Sequence, residues 1–489
     1  MTVTFNGARL LDGSLVDVAV NGAVITAVTP AGEVPLPGEH VELDGHVLIP
    51  GLWDRHTHFT EWAQYSRRVQ LGGADSAADA ARLLAEYARS HPDGDVVGVG
   101  YRDALWPDAP HFALLDEALG DDADPDRRVI AVSGDLHAVW LNSAALKARG
   151  LREHPSGVLR EGDAFAVINA LAEAPEAVID GWAHEAAEAA AARGVVGIVD
   201  FELGYSPAQW LRRFAAGFDE LRVEAAFYPD RIDDALSLGV AGGAPLAASA
   251  LLTLGPLKVI SDGSLNTRTA YLHEPYAGGA GSDGGHGRLT VPPGELVALL
   301  HRAVQHDLTA AVHAIGDHAV SHALDAFAVT GAQGSIEHAQ LVPDADLPRF
   351  AELGVTASVQ PEHAMDDRDV AERYWGERCR SAFPLRSLLE RGARLAFGSD
   401  APVAPLDPWL AIASAVFRSR GEREPWHEEQ RISLEQAVQA SVRSSIAPGQ
   451  PADLVVLAAD PREADVTALR EQPVAATMVA GRFSYDAIR

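Results

Sequence analysis

Between residue 47 and about residue 445, short apolar runs alternate with alanine- and leucine-rich helical stretches. That alternation is the trace of repeated βα units, and it commits most of the chain to a parallel sheet flanked by helices. The runs that read as strands are Val47–Trp53, Val195–Val199, Arg222–Phe227, Leu257–Ile260, Thr309–Val312, Ser335–Glu337, Val355–Val359 and Arg394–Gly398. Eight such strands predict an α/β chain built on a (β/α)8 TIM barrel, a fold that routinely exceeds the usual single-domain length.

Two more apolar runs, Val96–Val99 and Val129–Val132, fall between the first and second strands. Residues 60–185 therefore read as a long insertion after barrel strand 1, and an insertion of that length should carry structure of its own. At the amino end Val16, Val18 and Val20 alternate at the strand period, Asn21-Gly22 follows, and Val24 and Val28 resume the pattern. Asn-Gly between two such runs is the strongest short-range signal for a tight β-hairpin. The carboxyl end repeats the style in Asp453-Leu-Val-Val-Leu457 and Ala475-Ala-Thr-Met-Val-Ala-Gly-Arg482. Residues 1–46 and 447–489 are thus expected to share one small composite β domain, with the barrel, residues 47–446, between them. The Gly/Ser/Asp-rich segment Ala277–Gly287 reads as a mobile loop.

Charge and cysteine usage narrow the chemistry. With 39 basic against 69 acidic residues the net charge is −30. Such a surface repels phosphate backbones and anionic lipid, which argues against nucleic-acid and membrane-surface partners and leaves a small-molecule substrate. The single cysteine, Cys379, allows neither an intrachain disulfide nor a cysteine-based zinc site. Any metal must therefore be held by His, Asp, Glu or Lys. The first residues lack the basic and apolar regions of a signal peptide, and no apolar stretch reaches the ~20 residues of a membrane helix, so a cytoplasmic location is expected.

The chemistry-bearing residues sit where apolar runs end. Asp54-Arg-His56-Thr-His58 follows the first run, and in extended chain His56 and His58 point to one side, where two imidazoles can share a metal ion. His313 follows Thr-Ala-Ala-Val, His338 follows Ser-Ile-Glu, and Asp400 follows Leu-Ala-Phe-Gly-Ser. Any one of these alone reads as a strand-terminal polar residue facing water. Together they mark the strand ends at which barrel active sites are built. Lys258 lies inside Pro256-Leu-Lys-Val-Ile260, where a charged amine is costly to bury. It is either a snorkelling side chain or an amine whose charge has been removed, for example as a carbamate that bridges two metal ions.

These segments resemble the amidohydrolase superfamily, and within it amidohydrolase family 3, the branch of N-substituted formamide deformylase-like and YtcJ-like proteins. The likeness covers nearly the whole chain. It rests on Gly51-Leu-Trp-Asp-Arg-His-Thr-His58, Lys258-Val-Ile-Ser-Asp-Gly-Ser-Leu265, His313-Ala-Ile-Gly-Asp317, Glu337-His-Ala-Gln340, Ser358-Val-Gln-Pro-Glu-His363 and Phe397-Gly-Ser-Asp-Ala-Pro402. Gly134-Asp-Leu-His-Ala-Val-Trp-Leu-Asn142 is a weaker match, with Leu136 where the family has glycine.

The resemblance implies a barrel carrying a small β-sandwich made from both termini. It also implies metal ligation by His56, His58, Lys258 as a carbamate, His313, His338 and Asp400. The ion expected is divalent, zinc above all, as one or two ions, and a carbamylated lysine argues for two. A homodimer fits the resemblance, although the sequence marks no interface. The reaction expected is hydrolysis of a C–N bond in an amide, formamide or cyclic amide, with Asp400 as the catalytic base. His137, Arg268, Asp317 and His363 are candidates for substrate contact, with ordinary loop hydrogen bonding as the alternative. Trp53, Trp62 and Trp106 either line an apolar pocket or serve as packing. Ester, lactone or phosphotriester hydrolysis, a zinc deaminase and a metal-binding relative without catalysis are the competing readings.

Overall fold

The computed structural model describes every residue except 1, 102, 104–105, 121–122, 134–137, 173, 280–282 and 489. Eight parallel strands follow one another in chain order: Leu52–Thr57, Val195–Asp200, Arg222–Phe227, Leu252–Ile260, Ala310–Ala314, Gly334–His338, Thr356–Val359 and Arg394–Phe397. The last meets the first, because the Asp400 N–H donates to the His56 carbonyl at 2.7 Å and the His58 N–H to the Ala401 carbonyl at 2.8 Å. Strands covered on both faces carry continuous apolar runs, as in the fully buried Val195–Asp200.

Two expectations about the strands need correction. The run Val47–Trp53 is not one barrel strand. It divides at Gly51: Val47–Pro50 pairs antiparallel with Leu454–Leu457, whereas Leu52–Thr57 pairs parallel with Val195–Asp200. Gly51 is required at this switch, since a Cβ there would lie 2.4 Å from Val196 Cγ1. The strands also run further than their apolar residues. His56 and His313 lie within strands rather than after them, because the upper layer of the barrel interior is polar.

The two ends of the chain meet in one eight-stranded sheet, ordered Arg482–Asp486, Val474–Val479, Leu454–Leu457, Val47–Pro50, Thr2–Arg9, Leu15–Asn21 and Val24–Pro30, with Glu39–Glu42 against Thr2–Arg9. Phe5, Val18, Ile25, Leu454 and Met478 share its core. In the hairpin, Asn21 ends the first strand opposite Val24, and Gly22 takes the positive φ of the turn.

Contacts divide the chain into two units, Met1–Phe59 with His184–Arg489, and Thr60–Ala183. The second unit has its own five-stranded sheet. Val69–Gln70, Val96–Tyr101 and Val129–Ser133 are parallel, and Ala138–Leu141 and Val158–Arg160 continue the sheet antiparallel. Leu71, Leu84, Val96 and Trp140 pack in one of its cores. Among the described residues no helix is long and apolar enough to cross a membrane.

Candidate functional site

Polar side chains converge at the carboxyl-terminal ends of the barrel strands. Strand alternation aims His56 inward, and its ring lies against Phe201 with centroids 4.5 Å apart. Its Nε2 is 2.9 Å from Lys258 Nζ and 3.5 Å from Asp400 Oδ1. His58 Nε2 stands 3.5 Å from the same Asp400 oxygen. The His338 ring is 4.9 Å from that of His56 and 4.4 Å from that of His313.

The backbone at two of these positions is unusual. His338 has φ 73° and Asp400 has φ 58°, both in the left-handed region that few residues other than glycine enter, with asparagine, aspartate and histidine the commonest of those. This departure breaks the strand alternation, so Glu337 and His338, consecutive in sequence, both contribute to the inner cluster. The first and eighth strands are also held tightly together. Asp54 Oδ1 accepts from the His56 N–H at 3.1 Å and from the Ser399 N–H at 2.9 Å.

Electrostatics follow from burial. Burial pushes His56 down to about 4, with the neighbouring Lys258 adding to the effect. It pushes the Lys258 amine down to about 8 against the pull of Glu337 and Asp400. Burial, with His313 beside it, holds His338 well below its ordinary value. Burial works to raise Asp400, but His56 and the hydrogen bond to His58 keep it well below the carboxylate range. His56 and His338 are thus held neutral beside the ionised Asp400, the protonation states a cation requires of its ligands. At His58, by contrast, burial is outweighed by the hydrogen bond and charge of Asp400, which raise it.

The donor set fits a divalent ion. One ligand atom each from His56, His338 and Asp400 lie within 4.8 Å of one another, and all three residues are buried. Among the described residues, the buried Nδ1 atoms of His58 and His338 have no hydrogen-bond partner. Unpartnered buried nitrogens are costly. His313 is beside the cluster, but its Nε2 faces the Gly263 carbonyl at 3.3 Å and Asp262 Oδ1 at 3.4 Å.

The expected substrate-contact residues divide. His363 is brought in: it is buried, its ring is 6.3 Å from that of His338, and its Nε2 has no partner among the described residues. Asp317 Oδ1 accepts from the N–H groups of His273 and His318, tying a loop to the start of a helix. Arg268 lies over the Tyr374 ring at 5.4 Å. His137 falls outside the described residues. Trp53 packs under Arg443 at 3.9 Å, and Trp106 donates to the Ala74 carbonyl at 2.9 Å, so both serve as packing.

Three participants do not stand out in the sequence. Glu337 Oε2 accepts from His56 Nδ1 at 2.7 Å. Fully buried Asp262 accepts from the N–H groups of Ile315, Gly316 and Tyr271 beside His313. Phe201 floors the space under Lys258, whose Nζ is 4.0 Å from the ring centroid. Glu337 and Asp262 each stand inside a segment that carries the family resemblance. For Glu337 the available signal is its place directly before His338 at the end of a strand.

Comparison with known proteins matches residues 39–485 to the model of the amidohydrolase family. The Arabidopsis thaliana protein LONG AFTER FAR-RED 3 is 29% identical over 91% of this chain and 83% of its own length. N-substituted formamide deformylase of Arthrobacter pascens is 24% identical over 97% of this chain and 94% of its own. The crystal structure of an uncharacterized metal-dependent hydrolase from Pyrococcus horikoshii OT3 superposes with a TM-score of 0.77 at 25% identity, covering 96% of this chain and 99% of that one.

Proposed function

The chain belongs to the amidohydrolase family, and from that premise we propose that it hydrolyses a carbon–nitrogen bond in a small amide, formamide or cyclic amide. The observation that carries the proposal is the convergence of His56, His338 and Asp400 at the carboxyl-terminal mouth of the barrel, with Lys258 Nζ 2.9 Å from His56 Nε2. The Arthrobacter relative is named for removing formyl groups from N-substituted formamides, which supports a C–N bond as the target.

In this reading His56, His58, Lys258, His313, His338 and Asp400 hold two zinc ions. A divalent ion bound there supplies Lewis acidity and lowers the pKa of water to about 7. Asp400, kept ionised at the mouth, takes the proton from the attacking water and returns it to the departing nitrogen. His363, beside His338 with a free ring nitrogen, orients the substrate carbonyl. Lys258 acts as a carbamate: the ammonium gives up one proton, the freed lone pair adds to the carbon of carbon dioxide, the adduct loses a second proton, and a buried cation becomes an anionic ligand. The lowered affinity of this amine for its proton favours that addition.

Elemental analysis of protein purified without added metal or chelator tests the site, and matched amide and ester panels test the bond. About two zinc ions per chain and faster amide turnover are expected. One ion or none after incubation with zinc and bicarbonate would overturn the two-ion site. Faster cleavage of the esters would overturn the C–N assignment.

A further inference from the structure

Lys258, His56 and Glu337 form a chain of polar contacts that fixes where the His56 proton sits. Glu337 Oε2 is 2.7 Å from Nδ1, and Lys258 Nζ is 2.9 Å from Nε2. An ionised carboxylate can only accept and an ammonium can only donate, while a neutral imidazole has one donor and one acceptor. Both contacts are satisfied only with the proton on Nδ1 and the lone pair on Nε2. The Gln360 amide nitrogen reaches the same Nδ1 only at 3.5 Å, too long to compete with the carboxylate. Glu337 is itself fixed, since its second oxygen accepts from the Ser335 hydroxyl and its side chain is 1% exposed.

We propose that Glu337 is the positioning residue that locks His56 in its Nδ1-protonated form and aims the Nε2 lone pair into the space shared with Lys258, His338 and Asp400. Its consequence for metal affinity rests on the reading given under Proposed function; the proton's location does not. A carboxylate holding the far nitrogen of a ligating histidine sets ring orientation and basicity, and losing such a partner costs roughly 10–100-fold in metal affinity. The alternative is that Glu337 serves only as a counter-charge for Lys258. The two roles separate by substitution: Glu337→Gln keeps an acceptor without charge, and Glu337→Leu keeps volume with neither.

The test has two readouts. In metal-free protein labelled with 15N-histidine, with His56→Gln identifying the His56 signals, the nitrogen spectrum reports which ring nitrogen carries the proton. Nδ1 is expected in the wild type and in Glu337→Gln. Competition against a chelator then reports zinc affinity, with thermal melting as the check on folding. Glu337→Leu should lose roughly 10–100-fold, and Glu337→Gln clearly less. A wild-type His56 protonated on Nε2 would overturn the proposal, as would equal weakening in both variants or weakening in neither. If Glu337→Leu does not fold, the wild-type tautomer and the Glu337→Gln affinity still decide. A folded wild type that binds no zinc would sink the metal reading instead, and the tautomer would still decide the role of Glu337.

Discussion

Asp400 combines two demands that few residues meet: an ionised carboxylate in a buried site and a backbone at φ 58°. Asparagine tolerates that conformation too, so Asp400→Asn isolates the loss of the base. Turnover should fall by roughly 10²–10⁴-fold while zinc content stays near wild type, as read by steady-state kinetics and elemental analysis. Unchanged turnover would remove Asp400 from the role. Lys258 gives a signed pH dependence. Its folded value near 8 lies below its ordinary 10.5, so between those values the unfolded chain holds a proton that the folded chain does not. Stability of the metal-free protein should therefore rise with pH through that window, by at most roughly 3 kcal/mol. Denaturant titrations of wild type and Lys258→Met should show the slope in the first and not in the second. Lys258 is an anomaly legible in the sequence, because lysine seldom interrupts an apolar run. The role of Glu337 is not legible there, since its partner His56 is 281 residues away, a pairing that only barrel closure creates.

At the scale of elements, apolar runs locate all eight strands but misplace their ends. A run stops being apolar where the barrel interior becomes functional, so the polar tips that matter read as loop. The same rule merges two strands across Gly51, because antiparallel and parallel partners both ask for apolar residues. The closing seam depends on a glycine that periodicity does not mark. A Cβ at Gly398 would lie 2.7 Å from both Cβ and the backbone nitrogen of His56, contacts that cannot be relieved without moving the strand. Gly398→Ala is expected to cost about 1–3 kcal/mol in denaturant unfolding and to weaken zinc binding as His56 is displaced. Gly421→Ala, with open space around its Cβ but φ 61°, supplies the contrast: some backbone strain, and zinc affinity unchanged. Equal loss of zinc affinity in both variants would show that crowding at His56 is not the cause.

At the scale of the molecule, the terminal sheet is coupled to the reactive end of the barrel through a short length of chain. Leu454–Leu457 pairs with Val47–Pro50, and from there the backbone passes through Gly51 into the strand that carries His56. Further ties run from this sheet to the barrel. The Gly51 N–H donates to the Asp453 carbonyl at 2.8 Å, and Arg222 Nε donates to Asp453 Oδ2 at 2.7 Å. Thr477 Oγ1 donates to the Ala191 carbonyl at 2.6 Å. Removing residues 474–489 would strip Leu454–Leu457 of one antiparallel partner, take Ala476 and Met478 out of the core and leave a wholly apolar edge strand. Exposed apolar edges pair with other chains. Such a truncation should therefore lose the cooperative thermal transition, aggregate, and retain little zinc, even though it removes no residue of the site. Circular dichroism melting with elemental analysis of the soluble fraction would measure this. A truncated chain that melts within a few degrees of wild type and keeps its zinc would show that the barrel holds His56 in place without help from the terminal sheet.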